Sequence, residues 1–186
     1  DISDPSNLVE LDSFTSANLN IPRDIALDVV NEVAYVVSQF SDSITSIDIS
    51  DPSNLVELDT LTSASMEDAY RIAVDLVNEV AYVTAFTADS ITSIDISNPS
   101  NLAELDSLSN AAYLNFAEEV ALDVTNNVAY VVSRNGDYIN SVDISNPSSL
   151  SFLDNYTTAN LNGASTVSLD LENEVAYVGC IIGDSF

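Results

Sequence analysis

The sequence predicts an all-β fold of the β-propeller type, in which each of four repeats forms a four-stranded antiparallel sheet, or blade. One unit recurs four times, because the motif that begins at Asp1 returns at Asp48, Asp95 and Asp143, with spacings of 47, 47 and 48 residues. Each unit contains four runs of about five to seven residues that are rich in Val, Ile, Tyr and Thr, as strands are. No segment carries the apolar period of a helix of ten or more residues.

The four strands are named a to d in chain order. In the first copy they are predicted at residues 24–28, 32–38, 43–49 and 55–61. The repeats are residues 1–47, 48–94, 95–142 and 143–186. Strands a to d therefore straddle the boundary between the first two repeats. The chain is predicted to be a single propeller domain, or a segment of one, over residues 1–186.

Two repeated turns connect the strands. In the a–b turn, the carboxylate of Asp28 can cap backbone N–H groups, and Asn31 stands where a left-handed residue is wanted. In the c–d turn, Asp51 precedes Pro52, which is typical of a β-turn. Asp28 and Asp51 are therefore predicted to lie in exposed turns.

The alternation of side chains along a strand predicts which residues form the core. Leu27, Val36 and Ile47 occupy inward positions of strands a, b and c. These three residues and their copies are predicted to be buried.

Composition excludes several function classes. The chain has 30 acidic and 3 basic residues and a formal charge of −27, which disfavours nucleic acid and anionic membrane surfaces as partners. It contains no His and no Lys, so Ser-His-Asp triads, imidazole metal sites and Schiff-base lysines are excluded. No apolar run is long enough for a transmembrane helix. The acidic turns could gather Ca²⁺, although none has the carboxylate density of an EF-hand loop.

The charge also makes a prediction about stability. High salt or millimolar calcium is expected to raise the melting temperature, because each screens the mutual repulsion of the carboxylates. A thermal melt in low salt, compared with melts in high salt and in calcium, checks this. A melting temperature that does not change would contradict it.

The repeated motifs resemble those of a known family. The segment ITSIDISDP at residues 44–52, followed by VAYV at residues 80–83, resembles the LVIVD repeat family of surface-exposed β-propellers. The hairpin DLVNEVAYV at residues 75–83 is similar to that of YVTN-type surface propellers. The family often has Pro where Leu55 stands and Gly where Asn78 stands. The resemblance implies a propeller displayed outside the cell, usually without known enzymatic activity, and it carries over no catalytic residue.

The four copies differ mainly on one side of the predicted propeller. In such a fold the a–b and c–d turns lie on one face, the turn face, and the b–c and d–a loops lie on the other, the variable face. All three positive charges are assigned to the variable loops, at Arg23, Arg71 and Arg134. Six aromatic residues accompany them: Phe40, Tyr70, Phe86, Tyr113, Phe116 and Tyr138. Arg and aromatic side chains are typical of interface hot spots, so this face is the candidate binding surface. Alternatively, the aromatics plug the propeller mouth and the arginines offset local acid.

Three functions from different classes remain open. The first is a non-enzymatic extracellular or cell-surface protein with a structural or adhesion role in a surface layer, filament or sheath, whose partners are further copies or other surface proteins. The second is a carbohydrate- or protein-binding module that uses the variable face. The third is a carboxylate-based glycosidase, whose acids would be unrepeated ones such as Glu67, Asp68, Glu118 and Glu119. A sequon at Asn155 is a candidate glycosylation site if the chain is secreted.

We also expect these residues to be a segment of a longer repeat array that takes part in a larger assembly. The first and last residues fall within copies of one strand, so a closed four-bladed ring would have a defective junction. Contact between the variable face of one copy and the turn face of another would be head-to-tail and would build a filament.

Overall fold

The computed structural model describes residues 1–181 as consecutive antiparallel sheets, three of four strands and one of two. The first blade contains β1 (Pro22–Asp28), β2 (Val33–Ser38), β3 (Ser43–Asp48) and β4 (Val56–Thr62). The second contains β5 (Ala69–Asp75), β6 (Val80–Ala85), β7 (Ser90–Asp95) and β8 (Ala103–Ser109). The third contains β9 (Ala117–Asp123), β10 (Val128–Ser133), β11 (Tyr138–Asp143) and β12 (Ser151–Thr157). The fourth contains β13 (Ala164–Asp170) and β14 (Val175–Cys180).

The predicted all-β architecture is confirmed. In each four-stranded sheet the strands are neighbours in chain order, and each predicted strand of the first blade lies within two residues of its expected bounds. The helical elements within residues 1–181 are three single 3₁₀ turns, at Gln39–Ser41, Ala64–Met66 and Ala159–Leu161. The end of the fourth repeat, residues 182–186, lies outside the described residues.

The blades pack against one another through their innermost strands. β1 contacts β5, β5 contacts β9, and β9 contacts β13. The core between the first two blades is built around Tyr35, Ile44 and Met66, and the core between the second and third is built around Tyr82 and Leu114. Large apolar side chains thus fill each space between adjacent sheets, which is the main source of stability for stacked repeats.

The burial predictions are confirmed for two positions and wrong for the third. Val36 and Ile47 are buried, as are their copies in the second and third blades, whereas Val178, the copy of Val36 in the fourth blade, is half-buried. Leu27 is exposed, and its copies in the other blades are half-buried. The reason is that Leu27 lies in the first of the described blades, whereas its copies Val74 and Leu122 pack against the core shared with the blade before them. The position two residues earlier in the strand shows the same effect of a preceding blade. Ile25 is 57% exposed, whereas the equivalent Ile72, which lies against the first blade, is 7% exposed.

The a–b turn is correctly placed, but the prediction that Asp28 is exposed is wrong. Its carboxylate folds under the turn and is buried. There it accepts the backbone N–H groups of Val30 and Asn31, both at 3.0 Å, and the side-chain amide of Asn31 at 2.7 Å. Asp51, in the c–d turn, is exposed as predicted, and it accepts the N–H of Ser53 at 2.9 Å.

The left-handed residue of the a–b turn is also one position later than predicted. It is Glu32, with φ 57°, and not Asn31. The Asn31 side chain is held by Asp28, so the chain reverses at the following residue. The copies are left-handed at the same position, at Glu79, Asn127 and Glu174.

The buried turn carboxylates predict an acid-sensitive contribution to stability. The side-chain amide and the backbone N–H of Asn126 donate to Asp123 and lower the pKa of that carboxyl below its usual 3.8. A depressed folded-state pKa contributes stability that is present above the unfolded pKa and is lost as the pH falls through the folded pKa.

We therefore expect Asp123→Asn to be less stable than the unmodified protein at pH 7, and the difference to shrink as the pH falls below about 3.8, the usual carboxyl pKa. Urea unfolding of both proteins between pH 7 and pH 3 measures it, in a range that spans this pKa. A stability difference that stays constant with pH would contradict the assignment.

Repeated aspartates also join each blade to the next. Asp59 accepts the backbone N–H of Leu102 at 2.7 Å, and Asp106 accepts that of Leu150 at 2.7 Å. On the other face, Asp42 accepts the N–H of Asp68 at 2.9 Å. The same bond recurs from Asp89 to Phe116 and from Asp137 to Gly163, each at 2.9 Å. We call these residues the aspartate clamps. They bind backbone amides between sheets, so the repeated acids have a structural role.

Candidate functional site

The positions that differ most between blades are equivalent in the structure. Each innermost strand has a bulge after its first residue, where the register shifts against the second strand. The bulged residue differs in every blade: it is Arg23, Tyr70, Glu118 or Ser165. Arg23 and Arg71 therefore lie at the beginning of strands β1 and β5, and the prediction that they lie in d–a loops is wrong. A bulge re-aims side chains, which explains how one scaffold presents different chemistry here.

In the first three blades the bulged residue contacts the residue that follows the second strand of its own blade. In the first blade, Arg23 Nε donates to Gln39 Oε1 at 2.6 Å. In the second, the rings of Tyr70 and Phe86 stack with centroids 5.4 Å apart. In the third, Arg134 Nε lies 3.8 Å from Glu118 Oε2. The two positions vary together, from a hydrogen-bonded pair to an aromatic pair to an ion pair. We call them the variable pairs.

The variable pairs are connected across blades by cation–π and stacking contacts. The guanidinium of Arg23 lies 5.1 Å from the Tyr70 ring centroid, and that of Arg71 lies 4.8 Å from it. Phe86, which stacks on Tyr70, also stacks on Phe116 of the third blade, with centroids 4.0 Å apart. Five of the predicted site residues thus form one continuous cluster, the arginine–aromatic cluster. Half-buried rings with adjacent guanidinium groups are typical of binding hot spots.

The remaining predicted residues lie nearby but outside this cluster. Arg134 belongs to the third variable pair. The Tyr113 ring makes edge contacts with the rings of Tyr138 and Phe152, with centroid separations of 5.4 Å and 6.0 Å. Phe40 lies in the b–c loop of the first blade with its side chain exposed. The variable face therefore contains two aromatic groups and one isolated ring.

Charged side chains of the same inner strands also contact neighbouring blades. Arg71 Nε lies 3.4 Å from Glu119 Oε2 in the next blade. Burial raises the pKa of Glu119, and the carboxylate of Asp24 in the first blade raises it further, while Arg71 opposes the rise. Asp24 itself accepts the N–H of Ile72 at 3.1 Å. Glu119 is thus a half-buried carboxyl whose charge is balanced by Arg71 of the neighbouring blade.

Sequence analysis missed Gln39 and Asp24 as members of this surface. Neither Gln nor Asp is by itself typical of a binding surface. Gln39 also has a different residue type from its counterparts, since it is a neutral amide where Phe86 is aromatic and Arg134 is charged. An alignment of the four copies on the strand register, which places these three residues in one column, is the signal that could have found the variable pairs.

Other predicted sites have different outcomes. No group of three or more His, Cys, Asp or Glu side chains that could hold a metal ion occurs within residues 1–181, so the calcium hypothesis has no defined site in this part of the chain. Asn155 lies in the outer strand β12, paired with Asn140 of β11. The described residues include no helix that is long and apolar enough to cross a membrane.

The repeats match a known family model. The LVIVD repeat model matches residues 1–16, 27–62, 77–110 and 116–158, which is well over half of the chain. The chain belongs to the LVIVD repeat family. The resemblance seen in the sequence is therefore confirmed. No curated protein matches the LVIVD chain at a significant level.

Solved structures resemble this LVIVD protein in fold at low sequence identity. A protein from Lactobacillus plantarum superposes with a TM-score of 0.72 and 16% identity, over 84% of this chain and 48% of that one. The periplasmic gluconolactonase of Pseudomonas aeruginosa superposes with a TM-score of 0.66 and 14% identity, over 78% of this chain and 41% of that one. The hydrazine synthase of Kuenenia stuttgartiensis superposes with a TM-score of 0.66 and 15% identity, over 87% of this chain and 42% of that one.

The activities of these three proteins are unrelated or unstated, so the similarity establishes a shared β-propeller-like fold and nothing about chemistry. The LVIVD chain spans about half, or less than half, of the length of each of these structures.

Proposed function

We propose that this LVIVD protein is a non-enzymatic propeller of the cell surface or extracellular space that works in assembly or adhesion through its variable face. One observation carries the proposal. The side chains that differ between blades meet in the arginine–aromatic cluster, whereas the repeated acids are bound to backbone amides of turns and clamps. A scaffold that is constant except at one surface is organised for recognition.

The charged groups of the variable face support binding more than catalysis. Glu119 is paired with Arg71, and Glu118 is paired with Arg134. The Arg71–Glu119 pair is partly exposed, and such pairs contribute only about 0–1 kcal/mol to stability, so its value lies in positioning side chains. The partners proposed for this surface are further copies of the chain, other surface proteins or glycans.

A hydrolase is the second candidate, and a specific observation favours it. Glu119 has a raised pKa, and the charge of the Asp24 carboxylate is one of the causes of the rise. One structural neighbour is named as a gluconolactonase. On this hypothesis Glu119 would donate a proton and Asp24 would act as the second carboxylate.

Two measurements on the purified protein separate the candidates. Electron microscopy and a glycan array are expected to show regular assemblies or specific binding, and Tyr70→Ala is expected to abolish either one. Tyr177→Ala, which alters an exposed tyrosine of the fourth blade, is the matched control. Assays with gluconolactone and aryl glycosides are expected to show no turnover. Turnover that disappears in Glu119→Gln would overturn the proposal in favour of the hydrolase.

A further inference from the structure

The tips of the a–b turns carry exposed aliphatic side chains. The first residue of the turn is apolar in all four copies, at Val29, Leu76, Val124 and Leu171, with exposures of 70%, 42%, 39% and 49%. In the first two blades a second aliphatic residue follows, with Val30 83% exposed and Val77 84% exposed. We call these six residues the apolar crown. Turn tips normally favour Gly, Pro, Asn, Asp and Ser, so the repeated choice of Val and Leu needs a reason other than the turn.

The tips of adjacent turns lie side by side. Tyr35 of the first blade donates its hydroxyl to the carbonyl oxygen of Ile96 at 3.4 Å, and the N–H of Ile96 donates to the carbonyl oxygen of Glu79 in the second turn at 3.0 Å. Tyr35 lies in β2, which begins at Val33 directly after the first turn, so these bonds place the second turn beside the first. Contiguous exposed apolar patches are uncommon on soluble proteins and mark interaction sites.

The surroundings of the crown are acidic and those of the opposite face contain every arginine. Glu32 and Glu79 follow the crown residues in the first two turns, and both are exposed. Arg23 and Arg134 belong to the variable pairs on the other face, and Arg71 lies beside them with its guanidinium near the Tyr70 ring. The charge complementarity between the two faces is therefore local, between the exposed turn glutamates of one face and Arg23 of the other.

Arg23 is the arginine best placed to meet a carboxylate from outside. Within residues 1–181 it has no carboxylate at ion-pair distance, and its guanidinium donates to the neutral oxygen of Gln39 through Nε and a terminal nitrogen. The Tyr70 ring supports the guanidinium from one side. Arg23 is exposed, and the exposed ring of Phe40 follows Gln39 in the chain. An arginine held in this way loses little freedom when a carboxylate binds.

We propose that the apolar crown is the docking surface for the variable face of a second copy of this chain. The contact places Val30 and Val77 against the rings of the variable face and brings the acidic turn residues towards Arg23. This inference rests on the proposed function and names its partner. Because the two surfaces are different, the contact is heterologous, and repeated addition gives a head-to-tail filament. A charge of −27 on each copy opposes association, so assembly is expected to strengthen with salt.

Two variants that block opposite faces test the inference. Val30→Asp with Val77→Asp blocks the crown, and Arg23→Glu with Phe40→Ser blocks the variable face. Leu153→Asp, at an exposed position of the outer strand β12, is the control. Sedimentation velocity at several protein concentrations in high salt measures the association, and circular dichroism checks that each variant is folded.

The unmodified protein and the Leu153→Asp control are expected to form a concentration-dependent series of oligomers. Each blocked variant is expected to associate at least about tenfold more weakly, as loss of a hot spot does. An equimolar mixture of the two blocked variants is expected to stop at a dimer, since each keeps one intact face.

Folded variants that associate as well as the unmodified protein, or a mixture that shows no dimer, would overturn the inference. If the unmodified protein stays monomeric but binds a glycan or another protein through Tyr70, this inference fails and the proposed function stands.

Discussion

Replacement of Tyr82 by alanine is expected to lower the free energy of unfolding by about 3–5 kcal/mol. The Tyr82 side chain is 1% exposed and lies in the core between the second and third blades, in contact with the cluster that includes Leu114 and Val131. Its removal loses the transfer free energy of a large aromatic group and leaves a cavity that neighbouring β-strands cannot collapse to fill.

The repeat supplies a matched control for this prediction. Tyr177 occupies the same position in the fourth blade and is 62% exposed. Tyr177→Ala makes the same chemical change in the same strand register, and we expect it to change stability by about 0.5 kcal/mol or less. Urea unfolding followed by circular dichroism measures both. Equal losses would mean that strand propensity, and not burial between blades, determines the effect.

Replacement of Asp75 by alanine is expected to lower the free energy of unfolding by about 2–3 kcal/mol. Its buried carboxylate accepts the backbone N–H groups of Val77 at 3.0 Å and Asn78 at 3.1 Å, and the side-chain amide of Asn78 at 2.7 Å. Hydrogen bonds to a charged acceptor are stronger than neutral ones, and their loss also frees a hairpin turn that fixes the register of β5 and β6.

The control for Asp75 is Asp51→Ala in an exposed c–d turn. Asp51 accepts one backbone N–H, that of Ser53, and its loss is expected to lower stability by about 1 kcal/mol or less. Both variants remove one negative charge, so the relief of general repulsion is the same and cancels in the comparison. Chemical denaturation at pH 7 measures the two values. A larger loss for Asp51 would contradict the assignment of the buried turn carboxylate as the stronger support.

The strand pattern was predictable because two local signals agree. β-Branched and aromatic runs set the strands, and Asp, Asn and Pro set the turns, so the bounds in the first blade were correct to within two residues. The burial of Asp28 was not predictable in this way. An Asp is favoured in a turn whether its carboxylate faces water or folds beneath the backbone, and only the packing of the hairpin decides between the two.

The candidate surface was predictable in composition but not in arrangement. Charge and aromatic content singled out Arg23, Arg71, Tyr70 and Phe86, because the chain has only three basic residues and these two aromatic residues are not repeated at the same position in the other copies. That Arg23 and Arg71 contact one tyrosine ring depends on the bulge in each inner strand and on the angle between blades. Neither quantity is encoded in the local pattern of one repeat.

The aspartate clamps have a consequence for how such a chain changes during evolution. Asp59 binds an amide 43 residues ahead and Asp106 binds one 44 residues ahead, so every clamp links one copy of the unit to its successor. A unit duplicated in tandem by recombination therefore brings an acceptor for the copy after it and a donor for the copy before it. The gene can lengthen or shorten by whole units without any new interface, and part of the strong acidity of the protein accumulates with each duplication.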